Sequence, residues 1–213
     1  MTAKRPTILL TGFGTFPGVP DNATAALVPE LAARARVQFP DYDVVDEILP
    51  VVWSQTPGLL QQLLKRVDPV LALHFGVTKH TSGFQIELVG RNVCEPRFDA
   101  LGEVPTTAHL IEAGPEVLNS SFPAKSIVAR LERAGLPHVE SLSAGTYLCN
   151  AVLYHSLTHA QSRDEPFLAG FVHMPAALTR VAEASEDCLL SWDDALKGSL
   201  EIIDACLEAE TTA

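Results

Sequence analysis

The 213 residues read as a single α/β domain, a twisted mixed and mostly parallel sheet with helices on both faces. Three observations predict it. Continuous apolar runs at 6–12, 70–76 and 167–173 suit strands buried on both sides. Helical stretches alternate with such runs, the pattern of parallel strands joined by crossover helices. One extended stretch, 83–94, follows a strand with no helix between, so it must be an antiparallel neighbour or a hairpin arm. Composition agrees, since 47% hydrophobic and 19% charged residues give an ordinary globular core.

Taken in order, PTILLTG at Pro6–Gly12 is the first strand. The turn GFGTFPG then sets Phe13 and Phe16 among glycines and a proline, where they either line a pocket or cap the core. GFGTF is not the GxGxxG dinucleotide fingerprint. The alanine-rich stretch from Asn22 to Val37 is a helix, with Asn22 or Thr24 as N-cap and Pro29 as a local disturbance. Asp43–Val52 is a strand. Ser54–Val67 is a helix whose Leu59, Leu60, Leu63, Leu64 and Val67 form one stripe, stopped by Asp68-Pro69. Val70–Gly76 is a strand that contains His74, read as a satisfied interior histidine.

In GFQIELVGRNVC the alternation places Glu87 on the face opposite Phe84 and Ile86, the usual place for a solvated carboxylate. From Glu95 to Phe122 prolines and glycines interrupt any period, which predicts a long loop with one short strand. Ser121 and Pro123 open a helix that Gly135 ends. His138–Leu142 is a strand leading to SAGTYLCN, a loop of small residues before the apolar stretch 151–157. Phe167–His173 is a buried strand ending on histidine, and Ser191–Leu207 is an amphipathic covering helix.

Cys149 falls in the first turn of its helix, where unpaired N–H groups and the helix dipole favour a thiolate. A cysteine is also a common core residue, so a partner decides the matter. His173 supplies one, because strand ends in an open α/β sheet meet in one crevice. Cys149, His173 and Glu87 together suit a cysteine hydrolase, with thiolate nucleophile, imidazole acid and base, and orienting carboxylate. Cys94, Cys188 and Cys206 have no comparable setting and show no CxxC spacing, which argues against a zinc ribbon or disulfide framework. Free thiols fit a reducing cytoplasm. The net charge of −11 with no long basic run argues against nucleic-acid and acidic-membrane surfaces. The N-terminal apolar stretch leads straight into a turn and reads as a strand, not a secretory signal. No segment is long and apolar enough to span a bilayer.

TGFGTFPG, SAGTYLCN and FVHMP, with ELVGRNVCEPR carrying Glu87, Asn92 and Arg97, resemble the motifs of the cysteine-type pyroglutamyl peptidases, also called pyrrolidone-carboxylate peptidases. The resemblance covers most of the chain. It implies one sheet flanked by helices, a homotetramer, and no metal or organic cofactor. It implies cleavage after N-terminal pyroglutamate through a thioester, with Cys149 as nucleophile, His173 as acid and base, and Glu87 as orienting group. It further implies a lactam pocket of Phe13, Phe16 and Tyr147, a backbone contact near Val77, and Arg97 with the Cys149 N–H at the oxyanion. Three departures stand out: Thr81 where the family has arginine, Leu88 where arginine follows the glutamate, and Ser143 where aspartate precedes the Ala-Gly pair. They leave a second reading, a lactam- or peptide-binding member that is non-hydrolytic or altered in specificity. A phosphorylase is the weaker third reading, for want of a phosphate-cradling loop.

Overall fold

The computed structural model describes residues 5–16, 18–181 and 185–210. Along the chain lie β1 (Thr7–Phe13), α1 (Ala23–Gln38), β2 (Asp43–Leu49), α2 (Thr56–Val67), β3 (Leu71–Thr78), β4 (Phe84–Glu87) and β5 (Val89–Arg91). There follow β6 (Val117–Asn119), α3 (Ala124–Arg133), β7 (His138–Ser141), α4 (Leu148–Gln161), β8 (Leu168–Pro175) and α5 (Trp192–Glu210). The main sheet runs β2-β1-β3-β8-β4-β7. β2, β1, β3 and β8 are mutually parallel, whereas β4 runs antiparallel to β8 and parallel to β7.

Two apolar clusters sandwich this sheet. On one face Leu10, Leu73, Phe75, Ile86 and Val172 pack against α1, α3 and α5. On the other, Leu9, Ala72, Ala169 and Phe171 pack against α2 and α4. Burial on both faces explains the unbroken apolar runs of β1, β3 and β8.

The helices obey their local signals. Asn22 caps α1, its Oδ1 accepting from Thr24 N at 3.1 Å. Pro29 lies inside α1 without ending it, because its ring faces solvent, where the freed carbonyl can meet water. α2 buries Leu60, Leu63, Leu64 and Val67 but leaves Leu59, expected on the same stripe, exposed at its edge, and it stops at Asp68, which is left-handed at φ 54°. Gly135, at φ +69°, closes α3. Ser121 is not the cap of α3; Pro123 holds that place, and the Ser121 hydroxyl is taken by the backbone of Ala169 on β8, accepting from its N at 2.8 Å.

The stretch 83–94 is not one strand. β4 joins the main sheet beside β8, and the chain breaks at Leu88. β5 then pairs with β6 in a separate two-stranded sheet against α4. Asn150 fixes that second sheet: its Oδ1 accepts from Arg91 N at 2.9 Å and its Nδ2 donates to Arg91 O at 2.8 Å and Val93 O at 3.0 Å. The long segment after it is ordered by buried side chains. Asn92 Nδ2 donates to Ile111 O and Gly114 O, and Asp99 accepts from the N–H groups of Trp53, Leu101 and Glu103. No helix among the described residues is long and apolar enough to cross a membrane.

Candidate active site

Tyr147 stands before α4 in extended conformation and offers no side-chain cap, so the first N–H groups of α4 are left for a ligand. Gly145, at φ +79°, makes the preceding turn. Cys149 is the second residue of α4 and half-buried. It hangs over Gly76 of β3, where an added Cβ would lie 3.0 Å from its sulfur and 2.8 Å from the Phe171 ring. Only glycine lets the sheet come this close.

Gly76 pairs in register with His173 of β8. The sequence-predicted trio is therefore brought together. His173 Nδ1 lies 2.7 Å from Glu87 Oε1. A carboxylate only accepts, so Nδ1 carries the proton and Nε2 is left for the Cys149 sulfur. Glu87 is fully buried, contrary to the solvated carboxylate expected of a strand edge, because antiparallel pairing with β8 sets it inside the sheet. Burial would push the His173 ring down; the Cys149 thiolate, by charge and hydrogen bond, and then Glu87 outweigh it and raise the ring to about 9. The ring also leans on Phe171, centroids 4.7 Å apart.

Gln85 is the residue the sequence reading missed. Its Nε2 donates to Glu87 Oε1 at 2.6 Å, the same oxygen that takes the His173 proton. Its signal was available, since residues two apart on a strand share a face. The other carboxylate oxygen, Oε2, is buried and has no partner among the described residues.

The aromatic residues divide. Phe16 and Tyr147 face each other at 6.1 Å, with Trp53 edge-on to Tyr147 at 5.3 Å. Phe13 is buried at the end of β1 and packs on Phe171 at 6.4 Å, so its ring belongs to the floor. Arg97 is exposed, its guanidinium 4.8 Å above the Tyr147 ring, and its carbonyl accepts from Trp53 Nε1. Tyr147 OH donates to Phe98 O, and burial pushes its phenol up to about 12. The Val77 side chain packs into the opposite core, leaving its backbone at the rim of β3. Thr81 folds into its own turn, its Oγ1 accepting from Gly83 N at 3.2 Å.

The remaining thiols are buried and otherwise engaged. Cys94 donates to Thr107 O, Cys188 donates to Leu190 O, and Cys206 is enclosed in α5, with burial pushing all three thiols up. His74 bonds Thr11 Oγ1 at 2.8 Å and Ser156 Oγ at 2.9 Å, the satisfied interior histidine expected. No group of three His, Cys, Asp or Glu among the described residues is placed to hold a metal ion.

A thiol at a helix start, an imidazole at a strand end and a buried carboxylate behind it, on a doubly covered α/β sheet, define a cysteine hydrolase arrangement. Similarity to known proteins narrows the class. The pyroglutamyl peptidase family model matches residues 6–209, and the chain belongs to that family. It is 32% identical over 169 residues to a pyrrolidone-carboxylate peptidase of Pyrococcus furiosus, covering 79% of this chain and 80% of that one. With the Oceanobacillus iheyensis pyrrolidone-carboxylate peptidase it shares 31% over 201 residues, 94% and 98% of the two chains. A crystal structure of the Pyrococcus furiosus pyrrolidone carboxyl peptidase superposes with a TM-score of 0.86 at 28% identity, covering 96% of this chain and 99% of that one.

Proposed function

We propose that this protein is a cysteine peptidase that removes N-terminal pyroglutamate from peptides. The observation that carries the reading is the buried His173 held between Glu87 and the Cys149 sulfur. The Cys149 thiolate attacks the pyroglutamyl carbonyl, and the His173 imidazolium gives its proton to the departing amine. Water, activated by the same ring, then opens the thioester and frees pyroglutamate. Glu87 keeps the ring oriented and stabilises its charged form. The free N–H of Cys149 and the guanidinium of Arg97 receive the oxyanion, a donor set that contributes on the order of 3 kcal/mol per lost partner.

The lactam is neutral and flat. It sits between Phe16 and Tyr147 over the Phe13 floor, with the Val77 backbone for its amide, and needs no counter-charge. The finer setting we propose is a homotetramer in the cytoplasm, where a free catalytic thiol stays reduced.

Release of aminocoumarin from pyroglutamyl aminocoumarin amide tests the reading. Wild type turns over, and Cys149→Ala falls by about 10⁴-fold or more while keeping its circular dichroism. Turnover retained in Cys149→Ala would sink the assignment. Saturable lactam binding without turnover in the reduced wild type would favour the non-hydrolytic member instead.

A further inference from the structure

A cavity of about 520 Å³ opens at the C-terminal rim of β3 and β8, lined among others by Thr78, Lys79, Ser82, Ala176, Ala177 and Asp187. None of these residues belongs to the trio or to the lactam wall. We propose that this cavity is the leaving-peptide subsite, which receives the first two residues after pyroglutamate; the inference rests on the peptidase reading above.

Direction comes first. The lactam wall stands on the β1 side of Cys149, through Phe13 and Phe16, while His173 stands on the β8 side. The departing nitrogen must face His173 to take its proton. The released chain therefore heads away from β1, toward the paired ends of β3 and β8. Distance comes second. The Thr78–Pro175 pair lies two residues beyond the Gly76–His173 pair in the same register. At about 3.3 Å per residue, an extended chain leaving the sulfur reaches Thr78 within two residues. Thr78 shares the face of Gly76, so it is the step from the site into the cavity.

The walls are built and tied. Ala176 N donates to Thr78 O at 2.8 Å, joining the two strand ends. Leu189 N donates to Ser82 O at 2.7 Å, joining the β3–β4 turn to the segment before α5. The lining also suits a peptide more than an aromatic group. Thr78 and Ser82 line it with hydroxyls, that of Thr78 accepting from His80 N and keeping its proton to donate, and Lys79, Glu186 and Asp187 line it with charge of both signs. Among the described residues these three charged side chains have no ion-pair partner, so they are free to meet either sign of side chain.

Acyl transfer reads the subsite directly. With pyroglutamyl aminocoumarin amide as donor and alanyl-alaninamide as acceptor, the amine attacks the thioester carbonyl. A C–N bond forms, the C–S bond breaks, the sulfur leaves as thiolate and the amine proton passes to His173. The expected result is a saturable yield of pyroglutamyl-alanyl-alaninamide from wild type. Ala177→Trp, an exposed position that a large ring turns into a plug, raises the half-saturating acceptor concentration by about 10-fold. The same variant lowers the ratio of kcat/KM for pyroglutamyl-alanyl-alanine to that for the aminocoumarin amide by a similar factor. Lys79→Trp, at another exposed position of the lining, does likewise, so a folding defect in one variant leaves the other. An acceptor yield linear in concentration for wild type, or an unchanged ratio in both variants, would overturn the subsite and leave the peptidase reading standing. Absence of aminocoumarin release from folded wild type would overturn the peptidase reading itself and the subsite with it.

Discussion

His74 and His173 stand on neighbouring strands, buried on the same face of one sheet, yet near neutral pH the first is uncharged and the second cationic. His74 bonds only hydroxyls, those of Thr11 and Ser156, and burial lowers it to about 3. His173 is buried as deeply, but Cys149 and Glu87 reverse that penalty and raise it to about 9. The two positions differ by two residues along the paired strands, since His74 lies opposite Phe171 and Gly76 opposite His173. A sheet interior neutralises histidine by default, and charge persists only where the chain delivers anions to the ring.

Glu87→Gln breaks the comparison hardest. It leaves the ring in place but removes its charge partner, so His173 should move toward the behaviour of His74. The expected cost is roughly 10² to 10⁴-fold in kcat/KM. In wild type the thiolate–imidazolium pair is lost as pH rises through about 9, which sets the alkaline limb of activity. That limb should move to lower pH in the variant. The stability sign follows: a folded pKa above the unfolded value of 6.5 stabilises fully below pH 6.5 and is lost between there and about 9. Denaturant melts across this window check it. A variant limb still near 9 would assign the charge to Cys149 alone.

Gln85→Leu sharpens the same contrast more gently. Losing a hydrogen bond to a charged acceptor is worth about 1.5–3 kcal/mol at most, so kcat should fall by about 10-fold with little change in KM. Glu87 then has fewer anchors, and the alkaline limb shifts with kcat. A change confined to thermal stability, with the pH profile fixed, would make Gln85 a packing residue.

The smallest effect on activity belongs to His74→Leu. Orphaning the Thr11 and Ser156 hydroxyls should cost about 1–3 kcal/mol of stability while kcat changes by less than about 3-fold. Because His74 is depressed when folded, wild type loses stability as pH falls from 6.5 toward 3, where only the unfolded ring takes a proton. The variant should show a shallower acid slope in urea melts at pH 7 and pH 5.

The same pair shows what the sequence made legible. His173 and Cys149 announced themselves through local punctuation: a buried run ended by histidine and Met-Pro, and a small-residue loop before an apolar helix. Satisfied burial of His74 followed from its place inside an apolar run. Glu87 was placed on the correct strand face, but its burial depends on β8, a partner more than 80 residues away in sequence that alternation cannot name. The break at Leu88 had only a faint local sign. Alternation holds over residues 84–88 and lapses at the Leu88-Val89 pair, and it is the meeting of β5 with β6 and Asn150 that turns this lapse into a break. Ser121 looked like a cap because helix starts favour serine, yet β8 competes for its hydroxyl and wins. Phe13 and Phe16 read alike in sequence. They separate because β1 runs one register further into the sheet than the turn suggests, taking Phe13 with it.

The four sulfurs give the molecule a built-in gauge of its own loosening. Only Cys149 is open to a bulky alkylating reagent in the native state, while Cys94, Cys188 and Cys206 are enclosed in three different parts of the fold. One adduct therefore marks an intact molecule and four mark a fully opened one. The order in which the other three acquire mass reports which region gives way first: the long segment over α4 for Cys94, the stretch leading into α5 for Cys188, or the packing of α5 on the sheet for Cys206.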